Sequence, residues 1–235
     1  MKINLLLVIG ILSLSMACFA VSQPIWKVTT TKQIVALTFD DGPKPWFSEE
    51  ILAILSRYGV RATFFVVGKE VENSSDMIMQ MDDMGHEIGN HTFAHTTVKG
   101  LSFAKAREPI EAANRAVKKV TGRTPMYFRP PGGQYDDNTL AVLDALGMRM
   151  INWSVNPGDY AENLTQFTLD PDYAVEADKV IERVLGKVHP GAIILFHNGP
   201  EQTVRALPKI IESLRAQGYQ FVTISELLRS STNVN

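Results

Sequence analysis

The side chains able to do chemistry cluster in a few short segments, most of them closing an apolar run. The first is Thr38-Phe39-Asp40-Asp41-Gly42-Pro43. Adjacent carboxylates repel each other unless a cation or hydrogen-bond donors hold them, so the pair points to a metal site or a strongly shifted pKa. A plain Asp-Gly-Pro turn with a capping Asp accounts for the same residues. The second is His91-Thr92-Phe93-Ala94-His95, which follows Gly85-His86-Glu87-Ile88-Gly89-Asn90. Imidazoles four residues apart share one side of a helical turn, a spacing suited to a divalent transition metal, and an Asp can supply a third ligand. The one thiol, Cys18, lies far upstream, so an Asp-His-His set is the natural way to complete a zinc-like site with positions open for water and substrate. His86, just before an expected strand, reads as structural.

Phe128-Arg129-Pro130-Pro131-Gly132-Gly133 brings an Arg that can clamp a carboxylate in a fork, fixing Asp40 or Asp41. The prolines are rigid and the glycines have no Cβ, which lets backbone N–H groups approach a reacting oxygen. A Pro-Gly turn with a solvated Arg is the alternative. Trp153-Ser154-Val155-Asn156-Pro157-Gly158-Asp159-Tyr160 and Ile193-Ile194-Leu195-Phe196-His197 complete the set. An imidazole at a strand end is a good general acid near neutral pH, and Asp159 can orient it; a satisfied structural His is the alternative.

The elements that must position these groups alternate short β-branched runs with amphipathic stretches, the pattern of βα units around a parallel sheet. Strands are expected at Ile34–Phe39, Arg61–Gly68, Glu87–Asn90, Met126–Arg129, Met148–Trp153, Ala192–Phe196 and Gln220–Thr223. Helices are expected from Ser48 as N-cap to Gly59, and over Ser75–Met84, Ser102–Val120, Asp137–Leu146, Tyr173–Leu185 and Val204–Gln217. Pro109 either kinks its helix or marks its true first turn. This order predicts one α/β domain: a distorted (β/α) barrel with about seven strands, with a doubly wound open sheet as the alternative. In such a barrel the C-terminal ends of the strands, where the polar segments fall, form the functional face.

The 235 residues are 45% hydrophobic, enough for a large core. With 23 basic against 25 acidic residues, the chain lacks the electrostatic footprint of a nucleic-acid or anionic-membrane partner. Residues 1–20 read as a signal peptide: Lys2, an apolar run from Leu5 to Leu12, and Ala17-Cys18-Phe19-Ala20 at the cleavage site. Export follows, periplasmic or secreted, with a retained anchor or a lipid-modified Cys18 as alternatives. Cleavage leaves residues 21–235 as the catalytic domain, without a thiol, a disulfide or a stable membrane partner.

Taken together, the segments resemble, in order and spacing, the motifs of the polysaccharide deacetylase family, the NodB-like carbohydrate esterases, from about Ile34 to Leu228. The resemblance implies a metal-dependent hydrolase of acetylated polysaccharide with one divalent ion, expected to be zinc. It implies Asp41, His91 and His95 as metal ligands, Asp40 as the base that deprotonates water, and Arg129 as its orienting partner. Asp159 would tune His197, the acid that protonates the leaving amine. The Gly132 backbone would hold the oxyanion, and Leu195, with an aromatic such as Tyr160, the acetyl methyl. The chain departs from the family pattern at Gly132, where many members have Tyr, a loss that Tyr135 would partly replace. It departs again at Tyr160, where Trp is frequent, and at Asn198, where Asp is common. Glu162 to Ala177 reads as an enlarged loop. N-acetylated peptidoglycan, chitin or poly-N-acetylglucosamine is the expected substrate; an O-acetyl xylan esterase and a non-catalytic glycan-binding protein are the alternatives.

Overall fold

The computed structural model describes residues 23–160 and 172–231, with 172–175 described by their backbone alone. The expected signal peptide lies outside these residues, as does the proposed loop up to Pro171. In chain order the elements are β1 (Ile34–Asp40), α1 (Pro45–Arg57), β2 (Thr63–Val66), α2 (Gly68–Asn73), α3 (Ser75–Asp83), β3 (Glu87–Asn90), α4 (Phe103–Thr121) and β4 (Tyr127–Phe128). A single 3-10 turn over Pro131–Gly133 leads to α5 (Asp137–Leu146) and β5 (Arg149–Met150). The chain then continues through α6 (Asp172–Lys187), β6 (Ile193–His197), α7 (Glu201–Ala216), β7 (Gln220–Phe221) and α8 (Ile224–Arg229).

All strand pairings are parallel, in the order β5-β4-β3-β2-β1-β6, with β7 beside the first residues of β1. The sheet curls until its edges meet, but a few single bridges close it in place of a ladder. Val155 bridges Ile194, Ile25 bridges Ile151 and Lys27 bridges Ala192. The outcome is the distorted single-domain barrel, not the open sheet.

Side-chain alternation along β1 explains how one strand serves two environments. Val35, Leu37 and Phe39 point outward into the main core beneath the helices, where Phe39 stacks between Phe64 and Phe196 at centroid distances of 5.1 and 5.5 Å. The inward residues grade from apolar to polar: Ile34 and Ala36 join the lower plug, whereas Thr38 and Asp40, also buried, lie nearer the upper rim. Helix α8 closes the bottom by inserting Ile224 and Leu227 into that plug. Its start is fixed by a capping box between Thr223 and Glu226 and by Glu87, which accepts the Ser225 N–H at 3.1 Å.

Several local expectations change. Helix α1 starts a turn earlier than Ser48, with Pro45 in its first position, where a missing N–H does no harm. Ser48 is a buried helical residue whose hydroxyl accepts the Lys44 N–H at 3.0 Å and bonds the Asn198 amide at 2.9 Å. That long-range partner is invisible to a local capping rule. Gly68, expected to end a strand, opens the short helix α2, where its bare Cα lets Phe93 and Ala113 approach. Helix α4 begins at Phe103, so Pro109 is not its first turn, and Gly122 ends it at φ 73°. Residues 172–177 belong to α6 and not to a loop.

On the inner wall, a Cβ on Gly89 would sit 2.5 Å from the ring of Phe65. Gly89→Ala is therefore expected to lower the unfolding free energy by about 1–3 kcal/mol by overpacking, read as a lower urea midpoint at unchanged slope. An unchanged midpoint would mean that the barrel interior has room to spare.

Candidate active site

Register brings the polar segments to one rim. Asp40 lies opposite both Phe65 and His197, Val66 opposite Asn90, and Asn90 opposite Phe128. The residues that follow, Asp41, His91 and Arg129, therefore leave the sheet at one level. Asp40 is 3% exposed and Arg129 fully buried. Arg129 holds Asp40 and not Asp41, through one arm in place of a fork: Nη1 donates to Asp40 Oδ1 at 2.7 Å and to Thr38 Oγ1 at 2.9 Å. Its Nε and Nη2 donate to the carbonyls of Ile151 and Asn152, both at 3.1 Å, and its guanidinium lies 4.1 Å over the ring of Phe65. Thr38 passes its own proton to the Ile194 carbonyl at 2.8 Å.

The imidazoles converge, though not on a helical turn. Residues 91–95 form a loop in which Thr92 and His95 have φ of 64° and 54°, and Asp41 has φ of 76°. Left-handed backbone at non-glycine residues costs of order 1–3 kcal/mol each and persists where surrounding structure over-determines it. His91 Nε2 lies 3.4 Å and His95 Nε2 3.1 Å from Asp41 Oδ1, and His91 Nε2 lies 3.9 Å from Asp40 Oδ2.

The chemistry of this donor set suits a cation. His91 Nδ1 sits 2.7 Å from the Arg129 carbonyl, which can only accept, so Nδ1 carries the hydrogen and Nε2 presents a lone pair to the carboxylates. Asp41 Oδ1 is buried with no hydrogen-bond donor of its own, and among the described residues Asp41, His91 and His95 form a group whose ligand atoms all lie within 4.8 Å of one another.

The opposite wall carries His197. Its Nδ1 lies 2.9 Å from Asp159 Oδ1, while Asp159 Oδ2 accepts the His197 N–H at 2.8 Å and the Thr203 hydroxyl at 2.6 Å. Gln202 donates to the Asp159 carbonyl. Burial pulls the His197 pKa down, but the Asp159 hydrogen bond and the charges of Asp159, Asp40 and Asp41 outweigh it and the net shift is upward. Tyr160, half exposed, has its ring 5.0 Å from that of His197. Leu195 is buried on the inner face of β6, two residues below His197. A cleft of about 350 Å³ opens here, lined by Asp41, Lys44, Val67, Lys69, Glu70, Ala94, His95 and Tyr160.

The remaining candidates sit apart in different ways. Gly132 has φ of 63°, and a Cβ there would meet only Gln134, at an ordinary 3.8 Å, so backbone conformation and not crowding favours glycine there; at Gly133 a Cβ would lie 2.7 Å from Trp153. Tyr135 packs half-buried against the satellite core of Val98, Phe128 and Leu140. His86 accepts the Ala62 N–H at Nδ1 and packs edge-on to Phe64; burial first and Arg61 second lower its pKa to about 4. It is a neutral structural imidazole, as its sequence context suggests. Sequence reasoning missed Thr203, Gln202 and Ser48. Each supports the site through a partner more than forty residues away, and only the polar character of the first turn of α7 hints at the first two.

Because Asp40 and Arg129 are both buried, removing one leaves an uncompensated charge. Arg129→Met is expected to cost about 3–5 kcal/mol in urea unfolding at neutral pH, and Asp40→Asn on top of it to recover part of that loss. A double variant no more stable than Arg129→Met would refute the coupling.

Residues 27–151 match the family model described as polysaccharide deacetylase. The chain is 35% identical over 209 residues to a peptidoglycan-N-acetylglucosamine deacetylase of Bacillus cereus, covering 87% of this chain and 92% of that one. Among solved structures it is similar to a family pseudoenzyme from Bacillus anthracis (TM-score 0.79, 31% identity, covering 89% of this chain and 70% of that one). It is also similar to a family 4 acetyl xylan esterase from Clostridium thermocellum in complex with a cobalt ion (TM-score 0.74, 33% identity, covering 83% and 90%). With the match extending through the strands that carry Asp40, Asp41, His91, His95 and Arg129, this chain belongs to the polysaccharide deacetylase family.

Proposed function

We propose that the chain is an exported, metal-dependent hydrolase that removes acetyl groups from N-acetylated sugars of a polysaccharide such as peptidoglycan or chitin. The observation that carries this reading is the convergence of Asp41, His91 and His95 beside the fixed, buried carboxylate of Asp40. Those three side chains would hold one divalent ion, zinc by ligand type, which when bound acidifies water and polarises the acetyl carbonyl. Export rests on the N-terminal segment of residues 1–20.

In this mechanism Arg129 occupies Asp40 Oδ1 and leaves Oδ2 to take a proton from the attacking water. The water oxygen joins the acetyl carbon, and the Gly132 backbone N–H donates to the oxygen that becomes negative. His197, its Nδ1 held by Asp159, delivers a proton from Nε2 to the sugar nitrogen as the carbon–nitrogen bond breaks, releasing acetate. Leu195 and Tyr160 flank the acetyl methyl.

Similarity to a xylan esterase favours a second reading, hydrolysis of O-acetyl esters. An alkoxide leaves far more readily than an unprotonated nitrogen, which must be protonated before the bond to it can break, so His197→Ala should retain far more ester than amide hydrolysis. The pseudoenzyme relative makes a non-catalytic role a live comparison, but Asp40, Asp41, His91, His95, Arg129 and His197 are all present in this chain.

The test is acetate release by the purified chain from a panel of acetylated glycans, with chelator and with zinc restored. Release that is lost with chelator and recovered with zinc is expected, with Asp41→Ala losing both release and calorimetric zinc binding. No release from any glycan after zinc is restored would overturn the enzyme reading.

A second expectation concerns pH. The raised His197 pKa keeps the acid protonated above the ordinary value of about 6.5, so the alkaline limb of the rate profile lies above it. The same shift stabilises the fold fully below the unfolded-state pKa and is lost as pH rises through the folded one. Asp159→Asn removes the largest raising influence and moves the alkaline limb to lower pH; a limb that stays in place would show that Asp159 does not tune the acid.

A further inference from the structure

Two buried amides between β3 and α4 are bonded to each other, and the proposed proton transfers do not use them. Asn90, the last residue of β3, is fully buried, and Asn114, on α4, is nearly so. Alternation along β3 turns Gly89 inward against Phe65 and Asn90 outward to the helix. Asn90 Nδ2 donates to the Ile110 carbonyl and to Asn114 Oδ1, both at 2.8 Å, while Asn90 Oδ1 accepts the Thr92 N–H at 2.8 Å. A carbonyl can only accept and a backbone N–H can only donate, so Ile110 and Thr92 together fix which way the Asn90 amide faces. Asn114 Nδ2 in turn donates to Met148 Sδ at 3.2 Å.

A buried amide is tolerated only when it is bonded, and an apolar side chain of similar size would fill this space without that demand. What the amide adds is its bond to Thr92, the residue between the two imidazoles at which the chain turns left-handed, with φ of 64°. Left-handed backbone is unfavourable for a β-branched residue and persists only where its surroundings hold it. Helix α4 supplies the hold, because Ala116 and Val117 root it in the main core and Ala106 and Ile110 in the satellite core. We propose that Asn90 and Asn114 are positioning residues for the metal site. Through Thr92 they set the directions of His91 and His95, and with them how tightly Asp41, His91 and His95 hold a divalent ion. This rests on the metal-dependent reading above and extends it to a helix that carries none of the reacting groups.

The experiment titrates zinc by calorimetry into the full chain after chelation, and records the visible absorption of the same chain loaded with cobalt. Asn114 is the residue to change, because its bonds go to Asn90 and Met148 and to no proposed ligand. Asn114→Leu keeps the volume, and Asn114→Ala removes the amide with less bulk. In either folded variant zinc binding is expected to weaken about 10–100-fold, as is typical when a group supporting metal ligands is lost, and the cobalt bands to change as the imidazoles reorient. Val117→Ala, a core truncation on the same helix, is expected to lower the urea midpoint and leave zinc affinity unchanged. Wild-type zinc affinity in a folded Asn114 variant, or an equal loss of affinity in Val117→Ala, would overturn the proposal. A wild-type chain that binds no zinc would instead overturn the metal-dependent reading on which it rests.

Discussion

A guanidinium with no exposed surface sits in the upper barrel, and the geometry of both halves of the site passes through it. Four of the five N–H donors of Arg129 find acceptors, on Thr38, Asp40, Ile151 and Asn152, while its own carbonyl receives His91 Nδ1–H. One residue thereby orients the proposed base and sets the tautomer of a proposed metal ligand. A buried ion pair is poor evidence for stability, because desolvation offsets most of the attraction. Its role here is geometric: with Asp40 Oδ1 and His91 Nδ1 both engaged by Arg129, Asp40 Oδ2 and His91 Nε2 are turned toward each other at 3.9 Å, beside Asp41.

Around that pair the barrel is divided by height. Below, Ile34, Ala36, Ile193, Ile224 and Leu227 fill the interior as an ordinary apolar plug. Above, the inward positions turn polar, and the loops adopt backbone that helices and strands avoid, with Asp41, Thr92 and His95 all left-handed. Strain is concentrated where the proposed ligands converge and is carried by the well-packed strands beneath, as expected where stability is traded for a fixed constellation.

Family membership and catalytic competence are separate matters for a fold that hosts esterases, amidases and a pseudoenzyme. What distinguishes a working member is the simultaneous presence of base, acid, ligands and their supports. In this chain the supports are as complete as the reacting groups: Thr38 and Phe65 behind Arg129, Thr203 and Gln202 behind Asp159, and Ser48 behind Asn198. The departures from the family pattern at Gly132, Tyr160 and Asn198 fall on the rim and its underpinning, where specificity can change without dismantling the proposed proton path.

Much of this was legible in the chain itself. Period-two and period-3.6 patterning, with Gly59 and Gly122 as helix stops, located the βα units, because those signals are local. The types and order of Asp40, Asp41, His91, His95, Arg129, Asp159 and His197 pointed to the metal and proton-transfer roles proposed above, because few other roles bring so many titratable groups to strand ends. Tertiary structure decided the rest. It alone closed the sheet through isolated bridges, gave Arg129 to Asp40 through one arm, converged the imidazoles through a strained loop where a helical turn was expected, and placed Ser48 inside a helix. Each of these depends on contacts between residues far apart in sequence, where register and burial, not local propensity, set which groups meet.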